Sequence, residues 1–149
     1  MRRGSRVGVI LLLALGVLAV PLKAQSSGGE EPPGRERGFR LGQNYPNPFN
    51  PETWIPFELP PEYFENGQKP VVTIKIYNIL QQLVAIPVAV NHPEGNGVKV
   101  DRLVYHTPGP ARAYWDGRDR NGNKVPSGVY IVQMDVNGEK RTKRMYVAK

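Results

Sequence analysis

The chain has 149 residues, 40% hydrophobic and 22% charged, with 16 glycines, 15 prolines, no cysteine and a formal net charge of +7. That length suits one domain with flanking segments rather than two domains. The lack of cysteine excludes disulfides and a lipid-modified N-terminal cysteine, and the glycine and proline content favours many turns and short strands.

Arg2, Arg3 and Arg6 precede an apolar run from Val7 to Val20, followed by Leu22, Lys23 and Ala24. A basic start, an apolar middle and a small residue before the cut describe a secretory signal peptide over residues 1–24. The apolar run is shorter than the roughly 20 residues a spanning helix needs, so a leader is expected rather than an anchor. General secretion fits better than twin-arginine export, because Gly4 and Ser5 do not continue a twin-arginine pattern. Four of the 20 basic residues lie in this leader, so the rest of the chain carries 16 basic against 13 acidic residues, a net charge of +3. Most of the basicity is therefore the leader's, and no basic face interleaved with aromatics argues for nucleic acid.

Residues 25–38, "QSSGGEEPPGRERG", hold no large apolar side chain and read as a flexible linker. The folded domain is expected over 39–149. Trp54 to Leu59 gives the first strand, with Ile55, Phe57 and Leu59 on one face, and Pro56 marks an edge or a bulge. Residues 60–70 form a loop with a tight turn at Asn66 and Gly67. "VVTIKIYN" alternates Val72, Ile74 and Ile76 with Thr73, Lys75 and Tyr77 and predicts a strand. Leu83 to Val90 is an apolar stretch kinked or split at Pro87.

"NHPEGNG" is a loop by composition, and Val98 to Tyr105 reads as a strand with Val98, Val100, Arg102 and Val104 on one side. Ala111 to Trp115 leads into the Asp-, Asn- and Gly-rich "DGRDRNGNKVPSG". A further strand follows, with Val129, Ile131, Gln133 and Asp135 opposite Tyr130, Val132, Met134 and Val136. Asn137 and Gly138 tolerate positive φ and predict a two-residue hairpin into "EKRTKRMYVAK". Lys140, Arg141, Lys143 and Arg144 read as the solvated face of an edge strand. About seven short strands without a helical period predict an all-β, immunoglobulin-like antiparallel sandwich with Ile74, Ile76, Trp115 and Tyr130 in its core.

The sequence offers little for catalysis and calls for no cofactor. His92 and His106 lack metal-ligand spacing and read as exposed loop histidines. Ser26, Ser27 and Ser127 have no nucleophile context, and Ser127 fits a turn before a strand. A non-enzymatic protein is expected. Asp116, Asp119, Asn121 and Asn123 offer hard oxygens around a glycine, but the calcium-loop register would place Gly128 where glutamate is required. Local side-chain to backbone turns are the better reading of that loop, and Asp116, Asp119 and Asn121 stay as weak calcium candidates.

Four stretches, "LGQNYPNPFNPETWIPFELP", "VTIKIYNILQQLV", "YWDGRDRNGNKVPSGVYIVQM" and the closing "KRMYVAK", closely resemble the C-terminal sorting domain of type IX secretion substrates. That pattern overlaps with the immunoglobulin-like domain of the flagellar hook-capping protein. The resemblance runs from about Leu41 to Lys149. It implies a β-sandwich read by an outer-membrane secretion apparatus of Gram-negative bacteria of the Bacteroidetes type, with passage through the periplasm to the cell surface or the exterior. Pro46, Asn47 and Pro48 fall on the family's early motif, Gly128, Val129 and Tyr130 on its late strand motif, and Lys149 on its basic terminus.

Three departures matter. Gln81 stands where the family usually has glycine, which predicts a looser turn or one of another type. Residues 87–109 are longer than usual, which predicts an extra hairpin. No cargo domain stands between leader and sandwich, which keeps open a second reading: a stand-alone structural or adhesion subunit of an envelope complex or filament. In "QNYPNPFNPET", the prolines fix φ and hold Tyr45, Asn47 and Asn50 extended. That stretch is expected to lie across a sheet edge without ladder bonds, and a pre-ordered segment also suits docking to a partner.

Overall fold

A computed structural model describes residues 37–149, all of which fall within the unit Gly34–Lys149. The expected signal peptide over 1–24 and residues 25–36 of the expected linker lie outside the described residues. Among the described residues the strands are β1 (Arg40–Leu41), β2 (Thr53–Leu59), β3 (Val71–Asn78), β4 (Leu83–Ala85), β5 (Val88–Ala89), β6 (Leu103–Val104), β7 (Gly109–Trp115), β8 (Gly128–Val136) and β9 (Glu139–Val147). They form two antiparallel sheets, one ordered β1-β2-β7-β5 and the other β4-β3-β8-β9 with β6 also on β3. The protein is an all-β sandwich. Its nine strands exceed the seven expected because very short pieces such as β1, β5 and β6 carry no alternation of their own.

Alternation builds the core. Ile55, Phe57 and Leu59 of β2, Val72, Ile74 and Ile76 of β3, and Val132, Met134 and Val136 of β8 are buried, while the residues between them are not. Trp115 and Tyr130 are buried with them, as expected. Side chains on successive residues point to opposite faces, so a strand with one dry face must read this way. The hairpin between β8 and β9 closes through Asn137 and Gly138, both at positive φ, with Val136 opposite Glu139. β9 is the sheet's outer strand, and Lys140, Lys143 and Arg144 are solvated there. Arg141 instead lies over the Phe39 ring at 5.1 Å and donates to the Phe39 and Arg37 carbonyls.

Prolines mark where the chain changes partners. Pro87, between β4 and β5, divides one apolar stretch between the two sheets. Pro56 lies inside a two-sided strand, yet its carbonyl accepts from Gly42 just beyond the end of β1. The N–H it lacks is on that same side, so the missing bond falls at the end of β1 and leaves the β2–β7 ladder untouched.

Three expectations need correction. Val98 to Tyr105 is not one strand with Val98, Val100, Arg102 and Val104 sharing a side. Arg102 sits at φ 51, and that single left-handed residue flips the alternation, so Val100, Leu103 and Tyr105 point inward. Residues 98–100 pair instead with 87–89, through Ala89 N to Val98 O at 2.7 Å and Val100 N to Pro87 O at 2.9 Å, which is the extra hairpin. The loop 60–70 contains a short 3-10 segment, Pro61–Gly67, with Tyr63 and Phe64 half-buried against the core. His92 is buried rather than exposed: its Nε2–H donates to Val104 O at 2.9 Å, its Nδ1 accepts from Glu94 N at 3.2 Å, and its ring meets Tyr105 edge-on. His106 is exposed.

Glycines 117 and 122 lie in one loop at φ +72 and +84, but only a Cβ at Gly117 would overlap another group, the Pro51 carbonyl. Gly122→Ala is expected to cost about 1–2 kcal/mol, the left-handed penalty alone. Gly117→Ala adds a backbone clash and is expected to cost about 3 kcal/mol or more. Urea unfolding of both variants checks this; equal costs would remove the close approach from the argument.

Candidate functional site

Strand registers bring distant parts of the sequence to one end of the sandwich. Thr53 opposes Trp115, Asn78 opposes Tyr130, and Gly128 opposes Val147. Hence the start of β2, the ends of β3 and β7, the start of β8 and the end of β9 lie together. Every stretch that carries the sorting-domain resemblance has residues at this end.

Residues 43–51 organise it. Tyr45 exchanges both backbone hydrogen bonds with Trp54 of β2, each at 2.9 Å. Pro46 and Pro48 have no N–H with which to continue that ladder. The chain leaves the first sheet there and joins the second: Phe49 N donates to Tyr146 O at 2.9 Å, and Ala148 N donates to Phe49 O at 3.0 Å. Asn47 Oδ1 accepts from Tyr146 N and Gln43 Nε2 donates to Arg144 O, so side-chain bonds extend the contact with β9 beside the prolines. The expectation that this stretch makes no ladder bonds is therefore wrong. It pairs briefly with β2 and then with β9, because its non-proline residues keep their donors. The bonds at Pro46, Pro48 and Pro51 are cis.

The crossover is anchored from beneath by a buried polar trio that sequence reasoning missed. Asn44 Nδ2 donates to Pro46 O at 3.1 Å and to Thr53 Oγ1 at 3.0 Å, and Thr53 Oγ1–H donates to Pro46 O at 3.0 Å. Asn44 and Thr53 are both buried, and among the described residues no buried side-chain nitrogen or oxygen lacks a partner. The available signal was a short polar side chain on each side of a proline run. Phe49 then packs on Trp115 at 5.3 Å, and Trp115 packs on Tyr130 at 5.7 Å. Trp115 Nε1–H donates to Arg118 O and the Tyr130 hydroxyl donates to Pro126 O, so each aromatic also fixes a loop. Burial raises the Tyr130 hydroxyl above its ordinary pKa.

The residues singled out from sequence thus gather around the end of β9. Asn47 is bonded to it on one side, and Gly128, Val129 and Tyr130 pair with it on the other. Pro46, Pro48, Gly128 and Lys149 are exposed, Val129 is half-buried and Tyr130 is buried. The acids of the 116–124 loop are turned onto backbone: Asp116 Oδ1 accepts from Arg118 N, and Asp119 Oδ1 accepts from Asn121 N and Asn123 N. Asn121 itself is exposed. Among the described residues no three His, Cys, Asp or Glu side chains group as metal ligands, and no helix is long and apolar enough to cross a membrane.

The β3–β4 turn stands at the same end. Asn78 N donates to Gln82 O, and Asn78 Oδ1 accepts from Leu80 N at 3.0 Å and Gln82 N at 2.9 Å. Gln81 takes the left-handed φ of 60 that explains why glycine suits this position. The turn is closed rather than loose, because Asn78 supplies the restraint.

No protein-family model matches the chain, and no curated protein does. Among solved structures, it is similar to PorZ of Porphyromonas gingivalis, described as an essential bacterial surface component of the type-IX secretion system. The two are 19% identical with a TM-score of 0.43, over 73% of this chain and 11% of PorZ. It is also similar to dimeric latent PorU of the same organism, at 20% identity and a TM-score of 0.48, over 74% of this chain and 9% of PorU. The chain spans about a tenth of the length of each.

Tyr114, behind this end, donates its hydroxyl to Glu52 at 2.6 Å, and this bond, aided by burial, pushes its pKa from 10.0 up to about 12. The neutral phenol is favoured in the folded state, so the stabilisation is complete below about pH 10 and is lost as pH rises toward about 12. Over that window the stability of the parent is expected to fall more steeply than that of Tyr114→Phe. Urea midpoints across the same pH range test this; parallel curves would contradict it.

Proposed function

We propose that the protein is a non-enzymatic, exported β-sandwich that acts as a type IX sorting domain, recognised by an outer-membrane secretion apparatus and delivered to the cell surface. The observation that carries this reading is the convergence of its motifs. The early proline-asparagine stretch, the "WDG" turn, the "SGVY" strand start and the C-terminal strand are far apart in sequence, yet they meet around the end of β9. A recognition signal spread over such distances works only if the fold assembles it. Phe49, Trp115 and Tyr130 do the assembling from inside, while Pro46, Pro48, Gly128 and Lys149 stay in solvent. A sandwich of this kind offers a partner surface and edge contacts rather than a reaction centre.

The test fuses residues 37–149 to a periplasmic reporter in cells with and without the type IX apparatus. The reporter is expected at the surface only when the apparatus is present. Periplasmic retention in both would overturn the proposal, and co-purification of the native protein with an envelope partner at fixed stoichiometry would favour a permanent structural subunit.

A further inference from the structure

Most large apolar side chains of the described residues are buried, which makes the β3–β4 tip conspicuous. Ile79 is 70% exposed and Leu80 73% exposed, more than any other large hydrophobic side chain described. They are adjacent at the summit of the turn, at the end where the motifs meet. The turn beneath them is over-determined. Asn78 uses its amide N–H, its carbonyl oxygen and both side-chain polar atoms to hold Leu80, Gln81 and Gln82 in place. Gln81 also accepts a left-handed backbone, normally unfavourable for a residue with a side chain. A chain that needed only to turn here could do so with polar residues at the tip. This one fixes two apolar side chains in solvent instead.

We propose that Ile79 and Leu80 form a preorganised apolar knob by which the domain docks into a concave apolar pocket of a protein receptor, a pocket rimmed by carboxylates. The inference rests on the sorting reading and names the contact that reading requires. The shape argues for a protein pocket, because a convex, rigid tip with two side chains gains most from a complementary cavity and loses little entropy on entering it. A lipid surface needs no rigid shape. Ile79 and Leu80 also carry fewer side-chain carbons than the single acyl chain that itself binds membranes only marginally.

Charge argues for the acidic rim. The neighbouring loop is joined to β4 by Arg120 N to Val84 O at 3.0 Å, and it exposes Arg118, Arg120 and Lys124. Its acids, Asp116 and Asp119, face backbone N–H groups. No charge lies within the tip itself, residues 78–82. An apolar tip near a loop in which three cations (Arg118, Arg120, Lys124) outnumber two acids (Asp116, Asp119) fits an acidic rim on its partner, which steers the encounter.

The experiment expresses the full chain in cells with a working type IX apparatus and measures the protease-accessible surface fraction. Four chains are compared: the parent, Ile79→Ser with Leu80→Ser, Ile79→Leu with Leu80→Ile, and Arg120→Glu. Because the tip is solvated, the serine pair is expected to keep the parent's thermal midpoint, measured on purified protein. It is also expected to lower surface delivery at least about tenfold, as loss of a buried anchor does. The apolar swap is expected to retain delivery and Arg120→Glu to reduce it. Normal delivery of the serine pair would overturn the knob and leave the sorting reading standing. Periplasmic retention of the parent itself would overturn both. Flotation of the purified full chain with phosphatidylethanolamine–phosphatidylglycerol vesicles, lost in the serine pair, would assign the tip to lipid and overturn the protein pocket.

Discussion

The structure depends on one short crossing, in which residues 43–51 leave β2 and attach to β9. A sandwich of two sheets has an open flank wherever neither sheet supplies a strand to close it, and an outer strand such as β9 presents unpaired backbone there. This chain closes its own flank. Prolines at 46, 48 and 51 end the first pairing because they have no N–H, and asparagine and glutamine side chains add bonds of their own on both sides of the gap. The crossing then places Phe49 against Trp115 and the Pro51 carbonyl against Gly117. Both sheets and the 115–127 loop thereby refer to the same few atoms.

This geometry separates two roles that one motif can hold. Phe49, Trp115, Gly117 and Tyr130 are buried, and their chemistry is explained by each other. Solvent-facing residues at the same end, among them Pro46, Pro48, Ile79, Leu80, Gly128 and Lys149, are the ones free to meet a partner. A partner that reads this end reads a surface whose shape is set by side chains it never touches. On the proposed sorting reading, the pattern also gives a physical reason for a signal of this size. A short peptide could present the prolines or the basic terminus, but it could not hold them beside each other.

Strands with one dry face were legible in the sequence, because burial forces a period of two. The β2, β3 and β8 alternations and the Asn137–Gly138 turn could be read directly, as could the division at Pro87. Features decided by a distant partner could not. His92 looks like a loop residue until Val104 O and Glu94 N are seen on its two nitrogens. Arg102 carries no glycine-like signal for its left-handed backbone, yet it reverses the faces of everything after Asp101. The proline-rich stretch could be recognised as stiff, but its pairing with β9 joins residues about a hundred positions apart and follows only from the closed sandwich. Of the candidate site, the motif residues were legible, while Asn44, Thr53 and the exposed Ile79–Leu80 tip emerged from the structure.

Amide hydrogen exchange at Phe49, Tyr146 and Ala148 tests the crossing most directly. Each of these N–H groups bonds across the flank, to Tyr146 O, Asn47 Oδ1 and Phe49 O respectively. All three are expected to be protected to nearly the same degree as the core amides of β3 and β8, since the crossing opens only when the sandwich does. Exchange of the three at the rate of exposed loop amides, with the β3 and β8 amides still protected, would show that the flank is open and the account wrong.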